Sequence, residues 1–425
     1  MITLLLALAC LNHPKDDPPP VDDTDVADDT DETDPPDTDI PADPPCAPGV
    51  VAQNGAIAWT DLQQALDAVL PGDTLDLCPA THTLPLRWFG PGPLTLRSWT
   101  GDPDDVIFDG LGVHTPLTIR TDDLDLVVDS LTFRNGKDHA GGGLAIHADT
   151  RFTDSRVVVR SCHFEDNDAF GYGSALYIDA VAEVSLHDIV VTGNTGPGGP
   201  PVVLDRVFRL ADVQRSSFTD NEAAGSAALG IYHATLSTET FTVDILDSTF
   251  ADNVATDGAY GTAVIIGHEA PAHIDLRVLR SSFLRNIDNG DDGSQEYGGA
   301  LLLANRLAAG TTTTLIEGCT FDGNVGGQAV HFGVLWRADD GPADITIRDT
   351  AFYRGDFVDR YGFDPTALAF SRRPSLTQPF LIHFDNVDFG SGTTANLIPT
   401  FSGCPDHYEG LFTGTLDVRF GAACP

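Results

Sequence analysis

Five side chains that could bind or cleave a sugar occur at matching positions of a repeated pattern: His147, Tyr177, Asp179, Asp205 and Tyr232. All but Tyr177 directly follow a pair of apolar residues spaced two apart, and Tyr177 lies two residues before Asp179. If the repeats stack as strands about 4.8 Å apart, Asp179 and Asp205 lie about 5 Å apart, the separation of the carboxylates in a retaining glycosidase. An aromatic ring beside carboxylates and a histidine also suits sugar binding.

Two functions and one structural explanation fit these five residues. Asp179 and Asp205 could form a catalytic pair with His147. The same carboxylates could instead contact a glycan without cleaving it, with Tyr177 and Tyr232 as ligand-binding residues. The structural explanation is that polar residues are common wherever a strand side chain points to water. We therefore predict a candidate site and leave its chemistry open.

The element that must position these residues is a repeat of 27 to 38 residues. Each copy carries a marker residue, usually phenylalanine, and repeats of this length indicate a solenoid. The markers are Phe133, Phe164, Val191, Phe218, Phe250, Phe283, Phe321, Phe352 and Phe389. One repeat cannot bury its apolar side alone, whereas stacked repeats can. The pattern therefore predicts an all-β fold of parallel strands wound around a narrow core.

Each repeat contains two short strands whose apolar residues are two apart and so lie on one side. The strand before the marker carries the pairs Leu126/Val128, Val157/Val159, Val184/Leu186, Ala211/Val213, Val243/Ile245, Leu276/Val278, Thr314/Ile316, Ile345/Ile347 and Ile382/Phe384. The strand after a glycine-rich connection carries the pairs Leu144/Ile146, Leu176/Ile178, Val202/Leu204, Leu229/Ile231, Val264/Ile266, Leu301/Leu303, Val330/Phe332 and Leu368/Phe370. These pairs are the predicted core.

Three further columns run through the repeats. The residue two before each marker is mostly small, which suits a tight interior corner. Asparagine tolerates left-handed backbone and bonds its own turn, so we expect a ladder of stacked turns at Asn167, Asn194, Asn221, Asn253, Asn286 and Asn324. Opposite charges attract across neighbouring strands, so we expect an exposed ion ladder along Asp188, Arg215, Asp247 and Arg280, three residues before the marker.

Two short motifs carry a family resemblance. Phe283 to Asn286 and Gly298 to Leu301 resemble the repeats of polymorphic outer-membrane proteins, within the pectin-lyase-like superfamily. The resemblance covers most of residues 50 to 400 and implies a right-handed parallel β-helix. The chain lacks the catalytic signatures of polygalacturonases, pectate lyases and pectinesterases, so the resemblance transfers no catalytic residue.

The N-terminal region resembles a bacterial lipoprotein signal followed by a spacer. Residues 1–10 are apolar and end at Cys10, the expected lipidated residue, although no Lys or Arg precedes them. Residues 11–45 contain 13 acidic residues, nine prolines and one lysine. Such a segment cannot bury a core, so we expect a disordered, extended linker.

Residues 46–425 form the predicted β-helix, with an N-terminal cap at 46–80 and a C-terminal cap at 390–425. A short helix is expected over Thr60–Leu70, capped by Thr60 or Asp61 and ended by Pro71-Gly72. A strand should follow to Leu77, and the strands beginning at Leu94, Val106 and Leu117 should be the first coils. This order resembles the cap of pectin-lyase-like proteins.

Six cysteines follow Cys10. Cys46 with Cys78 and Cys404 with Cys424 are expected to form disulfides at the two ends, as suits an exported protein. Cys162 and Cys319 share the small inward column but lie five repeats apart, about 24 Å at the strand spacing. That distance is too long for a disulfide, so both should be buried thiols.

Composition limits the partners. Outside the linker the chain has 50 acidic and 22 basic residues, a formal charge of −28. This charge excludes nucleic acid and disfavours anionic glycans. We expect no cofactor, although calcium at the aspartate-rich connection of residues 287–298 is an alternative that fits no EF-hand spacing.

Together these features predict an exported monomer, held at the bacterial outer membrane or cell surface only through its lipid. It should act as a surface-binding or structural module, with glycan or another cell-surface component as partner. The enzyme alternative is a polysaccharide lyase or glycoside hydrolase of a neutral or weakly charged glycan. A third alternative is self-associating surface material, for which exposed strand edges at the caps would be the feature to seek.

Overall fold

The computed structural model describes residues 46–121, 125–148, 154–233, 238–256, 261–268, 270, 272–289, 299–305, 310–326, 329–336, 342–353, 356–357, 366–372, 380–388, 400–402, 407–413 and 419–420. The chain divides into two units, Met1–Asp43 and Pro44–Pro425, and the described residues all belong to the second. The predicted signal with Cys10, the linker at 11–45, and both Cys404 and Cys424 lie outside the described residues.

The described residues form strands joined by tight turns, with one α-helix, α1 (Leu62–Asp67), and one 3-10 helix at Pro103–Asp105. The strands up to residue 200 are β1 (Val51–Gln53), β2 (Ile57–Trp59), β3 (Asp73–Leu77), β4 (Ala80–His82), β5 (Leu86–Trp88), β6 (Leu94–Ser98), β7 (Val106–Asp109), β8 (Leu117–Thr121), β9 (Asp125–Asp129), β10 (Thr132–Arg134), β11 (Lys137–Ala140), β12 (Leu144–Ala148), β13 (Arg156–Arg160), β14 (His163–Glu165), β15 (Asp168–Tyr172), β16 (Leu176–Asp179), β17 (Glu183–His187), β18 (Val190–Thr192) and β19 (Thr195–Gly196).

The later strands are β20 (Val202–Val207), β21 (Leu210–Gln214), β22 (Ser217–Thr219), β23 (Glu222–Ala223), β24 (Leu229–His233), β25 (Phe241–Leu246), β26 (Thr249–Ala251), β27 (Val254–Ala255), β28 (Val264–His268), β29 (His273–Leu279), β30 (Ser282–Leu284), β31 (Ile287–Asp288), β32 (Leu301–Asn305), β33 (Thr311–Glu317), β34 (Thr320–Asp322), β35 (Val325–Gly326), β36 (Ala329–Trp336), β37 (Ala343–Arg348), β38 (Ala351–Tyr353), β39 (Asp356–Phe357), β40 (Thr366–Arg372), β41 (Phe380–Asp388), β42 (Thr400–Ser402), β43 (His407–Thr413) and β44 (Arg419–Phe420).

Within the described residues, the strands assemble into three stacked sheets. Sheet A has 24 strands, sheet B has 12 (β5, β8, β12 and so on to β44), and sheet C has eight (β11, β15 and so on to β39). A full coil passes through a long and a short strand of sheet A, then sheet C, then sheet B. Apart from the antiparallel pairing of β1 with β2 and β3, neighbouring coils pair in parallel. The chain is thus a right-handed parallel β-helix, as predicted.

The predicted core pairs lie inside the coils, with one correction. Leu144, Ile146, Val157 and Val159 are fully buried, and their counterparts in later coils are buried wherever their side chains are described. In β36, however, Phe332 and Val334 pair with Leu301 and Leu303. The predicted pair Val330/Phe332 is therefore wrong by two positions: the inward residues are Phe332 and Val334, and Phe332 follows its marker Phe321 by 11 residues, as Leu144 follows Phe133.

The marker phenylalanines stack along the interior. Ring centroids of neighbours are 4.6–5.3 Å apart from Phe108 to Phe164 and again from Phe218 to Phe352. Val191 interrupts this column and is itself buried. The predicted alignment is confirmed for the described markers, since Phe133 pairs with Phe164 and Phe283 with Phe321, while Phe389 lies outside the described residues.

The asparagine column forms a ladder in the turn between sheets A and C, but the expected left-handed backbone is wrong for these residues. The left-handed residue is the one before each asparagine, such as Asp220 and Asp252, and the asparagine side chains bond neighbouring coils. The side-chain amide of Asn221 donates to the carbonyl of Val191 and to Oδ1 of Asn253, at 3.1 and 2.9 Å. The same pattern repeats from Asn167 to Asn286, and all six asparagines are at most 1% exposed. At the end of the ladder, Asn324 donates to Nδ1 of His331 at 3.1 Å.

A left-handed residue separates the long and short strands of sheet A in each coil. Its φ is 55° at Asp188, 47° at Arg215, 51° at Asp247 and 50° at Arg280. These are the four residues of the predicted ion ladder. Arg215 binds Asp188 through two hydrogen bonds of 2.7 and 2.8 Å, and Arg280 binds Asp247 through two of 2.7 Å. The predicted pairing is confirmed for these two steps.

The N-terminal cap closes the first coil. Asp61 caps α1 by accepting from the Gln64 backbone at 3.0 Å, and the helix ends at Asp67, before the predicted Leu70. Cys46 and Cys78 form the predicted disulfide, with Cα atoms 5.5 Å apart. The strands at Leu94, Val106 and Leu117 belong to one coil rather than three, since β6, β7 and β8 pair with β3, β4 and β5.

Strand pairing also continues into the predicted C-terminal cap. β42 pairs with β40, and β43 pairs with β41. Cys162 and Cys319 are buried thiols, as expected, and burial raises the pKa of Cys162 to about 12 and that of Cys319 to about 11. None of the helices in the described part is long and apolar enough to cross a bilayer.

Candidate functional site

All five predicted site residues lie on four neighbouring strands of sheet B, β12, β16, β20 and β24. Tyr177 and Asp179 alternate with the buried Leu176 and Ile178 on β16, which directs them to the outer face. His147 on β12 is the register partner of Asp179, and Asp179 is the partner of Asp205 on β20. The predicted juxtaposition of Asp179 with Asp205 and His147 is therefore present.

The Tyr177 side chain connects the group. Its hydroxyl donates to Oδ2 of Asp205 at 3.3 Å, and its ring lies 5.3 Å from the His147 ring at a tilt of 51°. Burial raises the pKa of Tyr177, and the charges of Asp179 and Asp205 raise it further. The hydroxyl therefore keeps its proton and remains a donor near neutral pH.

Arg206 is a site residue that the sequence reasoning missed. It has a φ of 52° at a register shift between Leu204 and Val207, and the left-handed backbone directs its side chain to the preceding coil. Its Nε donates to Oδ1 of Asp179 at 2.6 Å, and a terminal nitrogen of the guanidinium contacts Oδ2. Both oxygens of Asp179 are thus held by one arginine.

A signal for Arg206 was present in the sequence. In nine ion pairs of the described residues, the arginine lies one coil after its acid: Asp76–Arg97, Asp109–Arg134, Asp129–Arg160, Asp179–Arg206, Asp188–Arg215, Asp244–Arg277, Asp247–Arg280, Asp252–Arg285 and Glu317–Arg348. Asp179 and Arg206 are 27 residues apart, the same separation as Asp188 and Arg215. Applying the ion-ladder spacing to Asp179 would have identified its partner.

Asp205 is the more accessible carboxylate of the two. The Asp205 side chain is 36% exposed, whereas the Asp179 side chain is 11% exposed. Burial raises the pKa of Asp205, and the neighbouring charge of Asp179 raises it further. The nearest cation, Nε of Arg206, is 3.9 Å away, beyond a direct hydrogen bond. Asp205 can therefore accept hydrogen bonds from a ligand.

Tyr232 lies on β24 opposite the register shift at Arg206. Ile231 pairs with Leu204 and His233 with Val207, so two residues of β20 face the single Tyr232 of β24. The Tyr232 ring packs against Ile265, Leu302 and Ala304 and lies over Gly267. A β-carbon at Gly267 would be 2.7 Å from this ring, so only glycine leaves room for it.

Two exposed aromatic residues precede the site and were also missed. Phe170 and Tyr172 alternate on the outer side of β15 and are 60% and 53% exposed. Lys137 lies 4.9 Å from the centre of the Phe170 ring and forms an ion pair of 2.7 Å with Asp168. The sequence signal was the alternation Phe-Gly-Tyr before the turn into β16.

Within the described ranges, no group of three His, Cys, Asp or Glu side chains could hold a metal ion. Most of the aspartate-rich connection at 287–298, the alternative calcium site, lies outside those ranges.

No protein-family model, no curated protein and no solved structure matches this chain.

Proposed function

We propose that this protein is an exported, lipid-anchored β-helix of the bacterial cell envelope that binds glycan as a monomer. The observation that carries the proposal is the group formed by Tyr177, Asp205 and Arg206 on the outer face of sheet B. It combines a carboxylate acceptor, a phenolic oxygen that can also accept, and a guanidinium beside an aromatic ring. Sugar hydroxyls need such donors and acceptors, and the sheet holds them rigidly.

The charges of the site favour a neutral or weakly charged glycan. Arg206 is already paired with Asp179, and Lys137 with Asp168. Neither cation is therefore free to neutralise an acidic sugar, and the negative charge of the body repels anionic polymers. Phe170 and Tyr172 add exposed ring surface on which the apolar face of a sugar could pack.

The enzyme alternative is a lyase or glycoside hydrolase that uses Asp205 as general acid, with His147 and Asp179 as the other catalytic residues. The raised pKa of Asp205 favours it, because a general acid must keep its proton. Against it, Arg206 occupies both oxygens of Asp179, so the pair lacks a free nucleophile. We therefore favour glycan binding over catalysis as the function of this site.

Replacing Asp205 with Asn should weaken glycan binding by about 10- to 100-fold, because a hydrogen bond to a charged group contributes roughly 1.5–3 kcal/mol. Binding is measured on a glycan array with the purified protein, followed by titration and product analysis of each hit. The matched control is Asp188→Asn, which breaks an ion pair of the same spacing on sheet A. Equal binding by both variants and the wild type would rule out the site, and released product would favour the enzyme.

The proposed cell-surface location rests on three features of the chain. The apolar run ending at Cys10 resembles a lipoprotein signal, and the acidic linker suits a tether. The Cys46–Cys78 disulfide suits an oxidising compartment outside the cytoplasm. We also propose that the chain belongs to the pectin-lyase-like superfamily and that its repeats are related to those of polymorphic outer-membrane proteins.

Replacing Cys10 with Ser should move the full-length protein from the membrane fraction to the soluble fraction. The thiol of Cys10 is the predicted lipid attachment point, and a serine hydroxyl would not replace it. Fractionation of the producing bacterium and mass spectrometry of the N-terminal peptide test this expectation. A wild-type protein that is already soluble and carries no lipid would contradict it.

A further inference from the structure

Two buried histidines outside the candidate site face each other where neighbouring strands of sheet B end. His233 is the last residue of β24 and is 2% exposed, and His268 is the last residue of β28 and is fully buried. Their rings stack with centroids 5.0 Å apart and planes 5° apart. The His233 ring also stacks on the Phe241 ring, with their centroids 4.5 Å apart. Water therefore has little access to either imidazole.

The polar contacts of this pair require more protons than two neutral rings carry. Nε2 of His233 lies 3.3 Å from the carbonyl oxygen of Phe208, and Nε2 of His268 lies 3.0 Å from that of Ala272. The two Nδ1 atoms are 3.1 Å apart. A carbonyl oxygen can only accept, so these three contacts need three N–H groups. Two neutral imidazoles supply only two.

We propose that His233 and His268 form a buried proton-binding site, which lacks one hydrogen bond in its neutral state and takes up a single shared proton in acid. The contact between Nε2 of His233 and the Phe208 carbonyl is the longest of the three, so we assign the missing hydrogen bond to it. In the neutral pair, His268 donates from Nε2 to Ala272, and His233 donates from Nδ1 to Nδ1 of His268. Nε2 of His233 then faces the Phe208 carbonyl without a proton, and one added proton completes all three contacts.

The surroundings keep the pair neutral near pH 7. Burial lowers the pKa of His233 to about 4, and the charge of His268 lowers it further. Burial also lowers the pKa of His268, and the charge of the neighbouring His273 lowers it further. His273 itself bonds Thr311 at 2.5 Å. A β-carbon at Gly310 would lie 2.6 Å from Nε2 of His268, so the packing there is tight.

Proton uptake would link three consecutive coils. Phe208 follows β20, His233 ends β24, and His268 with Ala272 belongs to the coil of β28. The completed chain of hydrogen bonds therefore runs from the Phe208 carbonyl through both rings to the Ala272 carbonyl. The site makes the turn between sheets B and A sensitive to acid, independently of the proposed glycan site.

Nuclear magnetic resonance of the full-length protein, labelled with ¹⁵N in histidine, tests the proposal. At pH 7.5 we expect His233 as the Nδ1–H tautomer and His268 as the Nε2–H tautomer. Titration towards pH 4 should add one proton to the pair before a second binds. In the His268→Gln variant, the Gln amide can donate to Nδ1 of His233, so His233 should switch to the Nε2–H tautomer.

Three results would overturn the proposal. One is an Nε2–H tautomer of His233 in the wild type at pH 7.5. Another is independent titration of both rings with the midpoint of the exposed His139. The third is an unchanged His233 tautomer in a folded His268→Gln variant. If that variant does not fold, the wild-type tautomers and the number of protons bound decide the question alone.

Discussion

Replacing Asn253 with Ala is expected to lower the free energy of unfolding by roughly 3–6 kcal/mol, since each buried polar group left unsatisfied costs about 1–3 kcal/mol. The Asn253 side-chain amide donates to the Phe218 carbonyl at 3.0 Å and to Oδ1 of Asn286 at 2.9 Å. Its Oδ1 accepts from the backbone and the side chain of Asn221, at 3.2 and 2.9 Å. Alanine removes all four contacts and leaves their partners in the interior.

Two measurements check this expectation in the full-length protein. Denaturant unfolding gives the loss of stability, and hydrogen exchange reports the local effect, because the Asn221 amide loses its acceptor. Solenoids can unfold in parts, so the exchange rates of Asn221 and Asn253 locate the damage. We expect faster exchange in the coils around Asn253 and little change near α1.

The matched control is Arg285→Ala in the next coil. Arg285 binds Asp252 through its guanidinium, but its side chain is 59% exposed, and exposed ion pairs contribute about 0–1 kcal/mol. The control should therefore unfold close to the wild type. A loss below about 1 kcal/mol for Asn253→Ala, well under the cost of its four lost contacts, would show that the ladder does not stabilise the stack.

The second large effect is expected in acid, at the end of the same ladder. Burial lowers the pKa of His331 to about 3, from an ordinary value of 6.5. The unfolded chain therefore takes up this proton at a higher pH than the folded chain does. The free energy of unfolding should fall as the pH falls from 6.5 towards 3, by up to about 1.4 kcal/mol per pH unit for this one group.

The structural reason is that protonation removes an acceptor. Nδ1 of His331 accepts from the side-chain amide of Asn324, and His331 is fully buried. A protonated Nδ1 would face that donor without a lone pair. Burial lowers the pKa values of His82, His233 and His268 as well, so these histidines add to the loss in the same direction.

Unfolding curves of the wild type and of His331→Gln at pH 7 and pH 4.5 isolate the contribution of His331. Glutamine can still accept from Asn324 but takes up no proton. The stability difference between the two proteins should therefore move in favour of the variant by roughly 2–3 kcal/mol on going to pH 4.5. His139→Gln, which removes an exposed histidine, should follow the wild type at both pH values. Parallel curves for His331→Gln and the wild type would contradict the assignment.

The sequence by itself determined the fold of the stack, because the features involved repeat with the coil. Marker residues such as Phe164 and inward pairs such as Val157/Val159 recur from coil to coil, and the asparagine recurs in six consecutive coils. A parallel stack places equal positions above one another, so the register of one coil fixes that of the next. The same arithmetic predicted that Asp179 would lie beside Asp205 and that Arg215 would pair with Asp188.

The tertiary structure decided the features that break the repeat. The register shift at Arg206 adds a residue to β20, so that Asp205 and Arg206 both face Tyr232, and Arg206 binds Asp179 of the preceding coil. In β36, an extra residue relative to β40 lies between Ala329 and Phe332, beside His331 at the end of the asparagine ladder. Such insertions leave the repeated apolar and polar positions of the other coils unchanged, so the periodicity of the sequence cannot locate them. Contacts between coils determine them, and with them the chemistry that the candidate site presents.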